Sequence, residues 1–260
     1  MLTITSDFFM QWATGLMFVS LRLFGMFLSM PLFAFRAFPM RLRLMVVLLI
    51  SVAILPGLVD QTKGFGLTPP TFMTAALELL IGVFIGFLIR LGLMAVELAA
   101  EVLSIQTGLS FATNYVRDPN IASGLMGEFL GLTAIALMFA LNIHLVLLEL
   151  VIDSFRTLPF GTWPAVWDLP AVTKLISRAF QLGLVLSLPS IVVYLLFYVI
   201  QAILARTSPQ FNLFSVGFAI TVPLAFLVLM IVLPDLPEFV TRSLEGPFTL
   251  IRKGLVPGPN

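Results

Sequence analysis

The 260-residue sequence has no cysteine and a single histidine, His144. Disulfides, thiolate metal sites and cysteine nucleophiles are excluded together, and one imidazole cannot build a multi-histidine metal centre. Charge is also scarce. Asp, Glu, Lys and Arg make up 10% of the chain, against about 25% in a soluble domain. The 14 basic and 13 acidic residues leave a net charge of +1, and no charged tract marks nucleic acid or another polyelectrolyte as a partner. Phosphate-cradling glycine loops, zinc spacings and dinucleotide fingerprints are missing, so neither cofactor nor metal is expected. At the N-terminus Asp7 precedes the first apolar run, and no basic segment leads to a small-residue cleavage site. No cleaved signal peptide is expected.

Apolar residues dominate: 60% of the chain is hydrophobic, with 25 Phe and 12 Met, and the mean hydropathy is +1.10. Soluble domains have about 45–50% apolar residues, so a soluble enzyme and a disordered chain are both excluded. An all-α membrane protein is predicted, because a helix satisfies its own backbone in lipid. A spanning helix needs about 20 apolar residues. From Ala179 to Ala205 there are 27 residues without a charge, and from Thr207 to Pro234 there are 28. Between Val185 and Ile203, Leu, Ile, Phe and Val fill 12 of 19 positions, worth about −4 to −7 kcal/mol towards insertion. The link Arg206-Thr-Ser-Pro-Gln-Phe-Asn212, with its helix-breaking Pro209, predicts a helical hairpin. A third clean run goes from Phe129 to Leu148, between Glu128 and Glu149.

The first half suits lipid less well. Phe8 to Phe35 is long enough to span, but Arg22 sits in its middle. The apolar residues of its best window contribute about −3 to −5 kcal/mol, and one central Arg costs about +2.5 to +3.5 on the same scale. Leu44 to Val59 has only 16 uncharged residues. Thr71 to Ala100 is interrupted by Glu78, Arg90 and Glu97. Intramembrane charges pair or face water, and Arg22, Glu78, Arg90, Glu97, Glu101 and Glu128 all fall in this half. Protein or water is therefore expected beside these segments. Glu97 and Glu101 lie i, i+4 on one helix face, with Arg90 near it. An ion or proton relay is one reading; internal neutralisation with Arg90 or Arg22 is preferred. Gly82 with Gly86, and Gly127 with Gly131, form small flat patches that predict close helix packing, within the chain rather than as a dimer motif.

Breakers divide the chain. Pro56 to Pro70 is a loop ending in the helix-start signal Thr68-Pro69-Pro70. Gln106 to Asn120 shows no helical period. Leu158 to Pro170 carries Trp163 and Trp167, as an interfacial loop does. Pro234 to Asn260 reads as a polar tail with a short helix near Glu238 to Leu244. Three parts are expected: 1–178, a hairpin over 179–234, and a tail over 235–260. Gly108-Leu109-Ser110-Phe111 and His144 supply the residue types of an intramembrane serine protease. However, Ala112 stands where a nucleophile elbow has its second glycine, and no orienting third group is evident. A non-enzymatic role is expected.

Several stretches are familiar in combination. Glu97-Leu-Ala-Ala-Glu-Val-Leu-Ser-Ile-Gln-Thr-Gly-Leu109, continuing to Asp118-Pro119, resembles the central signature of the FliR/SctT family of type III secretion export-gate subunits. Asn142-Ile-His144 followed by Ser154-Phe-Arg-Thr-Leu-Pro159 is similar to that family's GGH…SF…P segment, with Asn and Ile in place of the two glycines. Pro209-Gln-Phe-Asn-Leu-Phe214 and Val216-Gly-Phe218 resemble its PQ-N-F…GFP region, with Ala219 where Pro is usual. Arg22, Pro31 and Glu78 fall where the family has an Arg, a Pro and a Glu. The resemblance covers nearly the whole chain in order.

The resemblance implies a non-enzymatic subunit of the flagellar export gate, in the bacterial inner membrane within the basal body. One copy would join five FliP and four FliQ subunits in a cone through which unfolded flagellar proteins pass. FlhB would dock at the cytoplasmic entrance. The fold it implies is a FliP-like part fused to a FliQ-like hairpin. The loop 106–118 would contribute to a pore plug through Gln106, Gly108, Leu109, Phe111, Tyr115 and Asp118, with Phe111 obstructing the path. Arg22, Glu78, Glu97 and Glu101 are expected to hold subunits together. The hairpin tip at Arg206, Pro209, Gln210 and Asn212 would face FlhB. The positive-inside rule would put that tip outside, but the rule assumes lipid-facing insertion. The rival reading is a small secondary transporter coupling ions at Glu97 and Glu101, although such folds show two related halves and no internal pair is found.

Overall fold

A computed structural model describes residues 6–30, 39–63, 65, 69–108, 125–162, 169–207 and 213–254. Among them are eight α-helices and no strand: α1 (Ser6–Ser29), α2 (Met40–Ile54), α3 (Pro69–Thr107), α4 (Leu125–Ala140), α5 (Ile143–Thr157), α6 (Leu169–Thr207), α7 (Leu213–Val232) and α8 (Leu236–Gly254). Five stretches among the described residues are long and apolar enough to cross a membrane. The protein is an all-α membrane protein.

Two helices are longer than the apolar runs that announce them. Glu78, Arg90, Glu97 and Glu101 interrupt an apolar run in α3 but not a helix, because Glu and Arg are good helix formers. The helix has 39 residues and is about 58 Å long. It begins at Pro69-Pro70, where a missing N–H leaves no helix bond unmade. It ends before Gly108, whose φ of +73° is the left-handed conformation glycine adopts at helix ends. Likewise α6 begins ten residues before Ala179 and takes in Lys174 and Arg178.

Two expectations are corrected. The run from Phe129 to Leu148 is not one helix: α4 ends at Ala140 and α5 starts at Ile143. The break is at Asn142, with φ +55°, a conformation Asn tolerates because its short side chain bonds locally. The polar tail is a helix of 19 residues, α8, well beyond Glu238 to Leu244. Leu236, Val240, Leu244 and Ile251 are buried on one side, while Glu238, Arg242, Glu245, Arg252 and Lys253 are exposed on the other. A hydropathy run cannot detect a helix that is half polar, but its 3.6-residue period can.

Contacts group the chain into two compact units. The first contains Met1–Leu91, Ile143–Thr173 and Gly246–Asn260. Its core is built from Phe18, Leu23 and Met26 of α1, Ile81, Ile85 and Ile89 of α3, and Val151 and Phe155 of α5, all nearly or fully buried. Phe18 meets Phe65 edge to face and Phe160 at a tilt, with centroids 5.2 and 5.3 Å away. The second unit contains Gly92–Asn142 and Lys174–Glu245. In it, Ala179, Gly183, Ser187, Ser190 and Tyr194 form a buried stripe along α6. A Cβ on Gly183 would fall 2.8 Å from the Ala95 carbonyl oxygen, so α6 and α3 approach closely there. The α6–α7 pair is an antiparallel hairpin. The Tyr194 hydroxyl donates to the Thr221 carbonyl at 2.7 Å, and Gln201 lies beside Gly217, so contacting positions converge towards the link.

Candidate functional site

Arg22 lies about two-thirds of the way along α1 with no exposed surface. Its Nε donates to Glu78 Oε2 at 2.6 Å. One terminal nitrogen donates to the Ser154 hydroxyl and the other to the Leu158 carbonyl, both at 3.1 Å. The guanidinium also stands 4.3 Å from the centroid of the Phe155 ring. Each partner has a reason to be there. Leu158 follows the last residue of α5, where carbonyls lack helical donors and a cation is favoured. Ser154 donates to the Val151 carbonyl at 2.6 Å, which leaves its lone pairs for Arg22. Glu78 has no exposed surface either, and its Oε1 makes no hydrogen bond. Arg22 and Glu78, expected to pair and to hold subunits together, pair with each other inside one unit.

Glycines permit this pair. A Cβ on Gly82 would overlap the Arg22 carbonyl oxygen, one on Gly25 the Leu79 carbonyl oxygen, and one on Gly86 the Ser29 hydroxyl and Met26 carbonyl. Across the seam Ser29 donates to the Val83 carbonyl at 2.9 Å. Backbones this close are what small-residue spacing allows in apolar surroundings. The second small patch behaves differently: a Cβ on Gly131 meets nothing within 4 Å.

The outward face of α3 carries Arg90, Glu97 and Glu101, while Glu128 is exposed in the first turn of α4. Met73, Ala76, Leu80, Phe87, Arg90, Glu97 and Glu101 are exposed at spacings of three, four and seven, which is one stripe along a helix. The stripe is apolar up to Phe87 and charged from Arg90 onwards. Among the described residues Arg90, Glu97 and Glu101 form no ion pair. Neither Arg90 nor Arg22 lies within ion-pair distance of the two glutamates among the described residues. Arg22 is taken up by Glu78, and Arg90 stands about 10 Å along the helix from Glu97.

Just beyond this stripe α3 ends, and the hairpin holds its end. The last carbonyls of a helix have no partner within it. Here the Tyr198 hydroxyl of α6 donates to the Gln106 carbonyl at 2.5 Å, and the Thr221 hydroxyl of α7 to the Thr107 carbonyl at 3.2 Å. Gly108 then turns the chain, its amide donating to the Ile105 carbonyl at 3.1 Å. Tyr198→Phe and Thr221→Val each remove one bond, worth about 1 kcal/mol. Amide exchange at Ile105 to Gly108 should therefore rise roughly fivefold per variant while the α1–α3 core is unaffected; unchanged exchange would mean the hydroxyls do not hold the stem.

Of the expected plug residues, Gln106 and Gly108 are in this stem, while Leu109, Phe111, Tyr115 and Asp118 lie outside the described residues. At the hairpin tip Arg206 is exposed at the end of α6; Pro209, Gln210 and Asn212 lie outside the described residues. Sequence reasoning did not find Ser154, Leu158, Tyr198 and Thr221 as partners. For the first two a signal existed, since Ser154-Phe155 belongs to a familiar motif. For Tyr198 and Thr221 the signal is a hydroxyl set within a run of apolar residues.

The chain has relatives among known proteins. The family model for bacterial export proteins, family 1, matches residues 13–246. The chain is similar to the flagellar biosynthetic protein FliR of Escherichia coli (strain K12), 29% identical over 257 residues that make up 96% of each chain. It is similar to FliR of Pectobacterium carotovorum, 30% identical over 259 residues, again 96% of each. FliR of Caulobacter vibrioides is 30% identical over 213 residues, 80% of this chain and 84% of the relative. The chain thus belongs to the bacterial export proteins of family 1, the family of the FliR flagellar biosynthetic proteins.

Proposed function

We propose that this chain is a non-enzymatic subunit of the flagellar type III export gate, in the inner membrane at the flagellar basal body. One copy with five FliP and four FliQ subunits forms the channel for unfolded flagellar proteins, and FlhB docks by the hairpin tip. In this reading residues 1–178 are the FliP-like part, 179–234 the FliQ-like hairpin and 235–260 the tail, while 106–118 contribute to the plug. Family membership supports the setting. The observation that carries the reading is the charged face of α3, running from Arg90 to Glu101 and ending at the clamped stem of that loop. A charge facing hydrocarbon at the centre of a spanning helix costs about 2.5–3.5 kcal/mol. Such charges are tolerable beside a wet channel or a neighbouring subunit, and an export gate provides both. No observation favours a secondary transporter, because Glu97 and Glu101 are exposed on the outer face of α3 and not enclosed in a site.

Replacing residues 109–118 by a short glycine-serine link tests the plug. The expected result is a membrane that leaks small ions while FliP and FliQ still co-purify with the variant. A variant that assembles and stays as tight as the wild type would overturn the plug assignment and leave the family assignment standing.

A further inference from the structure

Packing around α3 runs out at its last turn. Ser104 and Thr107 are buried, but Ile105 between them is exposed. A Cβ on Gly108 would meet nothing within 4 Å among the described residues. Hydrogen bonds hold the turn where packing does not, and they come from both arms of the hairpin. Tyr198 stands on α6 and Thr221 on α7. The arms are themselves joined at the second donor, because the Tyr194 hydroxyl of α6 donates to the Thr221 carbonyl at 2.7 Å. A change in the spacing of α6 and α7 therefore displaces the groups that hold the α3 terminus.

The held turn also contains groups that favour its opening. Ser104 has no exposed surface, and neither its hydroxyl nor the buried Gln106 Oε1 makes a hydrogen bond among the described residues. A buried polar oxygen without a partner is costly, and it regains water when its surroundings open. Two hydroxyl bonds thus close the turn against two oxygens that gain from its release.

We propose that Tyr198 and Thr221 are positioning residues that make the α6–α7 hairpin a latch on the α3 terminus. While both hydroxyls are bonded the terminus is fixed, and spreading of the two arms releases it. Gly108, with its left-handed φ of +73° and no side chain to obstruct it, is the pivot. The inference rests on the reading of 106–118 as part of the plug, and it adds what holds the stem of that plug and what frees it.

Open probability in single-channel recordings of the purified assembly, this chain with its co-expressed partners, tests the latch. One neutral hydrogen bond is worth about a fivefold shift. Tyr198→Phe and Thr221→Val should therefore each raise the open probability about fivefold, and together about 25-fold, with undiminished recovery of the assembly. Thr221→Ser keeps the hydroxyl and should restore wild-type closure. Ser104→Ala removes one oxygen that favours opening and should lower the open probability of the Tyr198→Phe variant. In the assembly whose residues 109–118 are replaced by a glycine-serine link, Tyr198→Phe should add nothing, whereas a general packing defect would raise the leak in both backgrounds. Latch variants as tight as the wild type beside a leaking loop replacement would overturn the latch and leave the plug standing. So would Thr221→Ser as leaky as Thr221→Val, or a further leak from Tyr198→Phe in the loop replacement. A loop replacement that is itself tight would overturn the plug, and the latch with it.

Discussion

Arg22→Ala should destabilise the chain by about 3–5 kcal/mol, the usual consequence of removing one member of a buried ion pair. The loss is large because Glu78 has no exposed surface and no other cation lies within ion-pair distance of it among the described residues. The Ser154 hydroxyl and the Leu158 carbonyl lose their donor in the same step. Arg22→Lys should behave more like the alanine variant than like the wild type. A single ammonium cannot reach three acceptors spread across the plane of a guanidinium. Replacing Arg22 and Glu78 together by leucine should recover much of the loss, because two charges no longer need to be held out of water. Unfolding by SDS titration of the purified chain checks all three. A stable Arg22→Ala protein, or a double variant no better than the single ones, would contradict the account.

How much of this knot the sequence exposes depends on which link is asked for. That Arg22 and Glu78 resist lipid is legible, since each interrupts an otherwise apolar run and the insertion balance around Arg22 is close to zero. That they meet is not legible. They are 56 positions apart, and α3 could rotate either its Glu78 face or its Glu97 face inward at no difference in local propensity. Gly25, Gly82 and Gly86 settle that rotation, and only the built seam shows that all three face one another. Phe129 to Leu148 failed for a related reason. Hydropathy sums do not register backbone conformation, and the left-handed Asn142 divides a run that is apolar throughout. The hairpin was legible because α6, α7 and their polar link are each strong local signals. The hydroxyl clamp on the α3 terminus depends on Tyr198 and Thr221 meeting a segment about 100 residues earlier, which no local pattern encodes.

The same glycine-to-alanine change should have opposite effects at two positions. In a helix interior this change ordinarily stabilises by about 0.8–1.0 kcal/mol. Gly131 in α4 should follow that rule, since its added methyl group enters open space. Gly82→Ala should instead destabilise by about 1–3 kcal/mol, the range for overpacking, and Gly82→Val by more. The atoms its Cβ would meet are the Arg22 carbonyl oxygen and the Met26 nitrogen. These belong to the backbone of α1 and cannot rotate aside as a side chain would, so the two helices must separate. Separation pulls Arg22 away from Glu78, because the obstructed carbonyl belongs to Arg22 itself. The effect of Gly82→Ala should therefore be smaller in the leucine double variant, which has no ion pair to stretch. Interaction energies of about 0.5–3 kcal/mol are usual for neighbours coupled through a backbone shift. Additive effects in that cycle would separate the glycine seam from the charge pair, and equal stability of Gly82→Ala and Gly131→Ala would remove the close approach of α1 and α3 altogether.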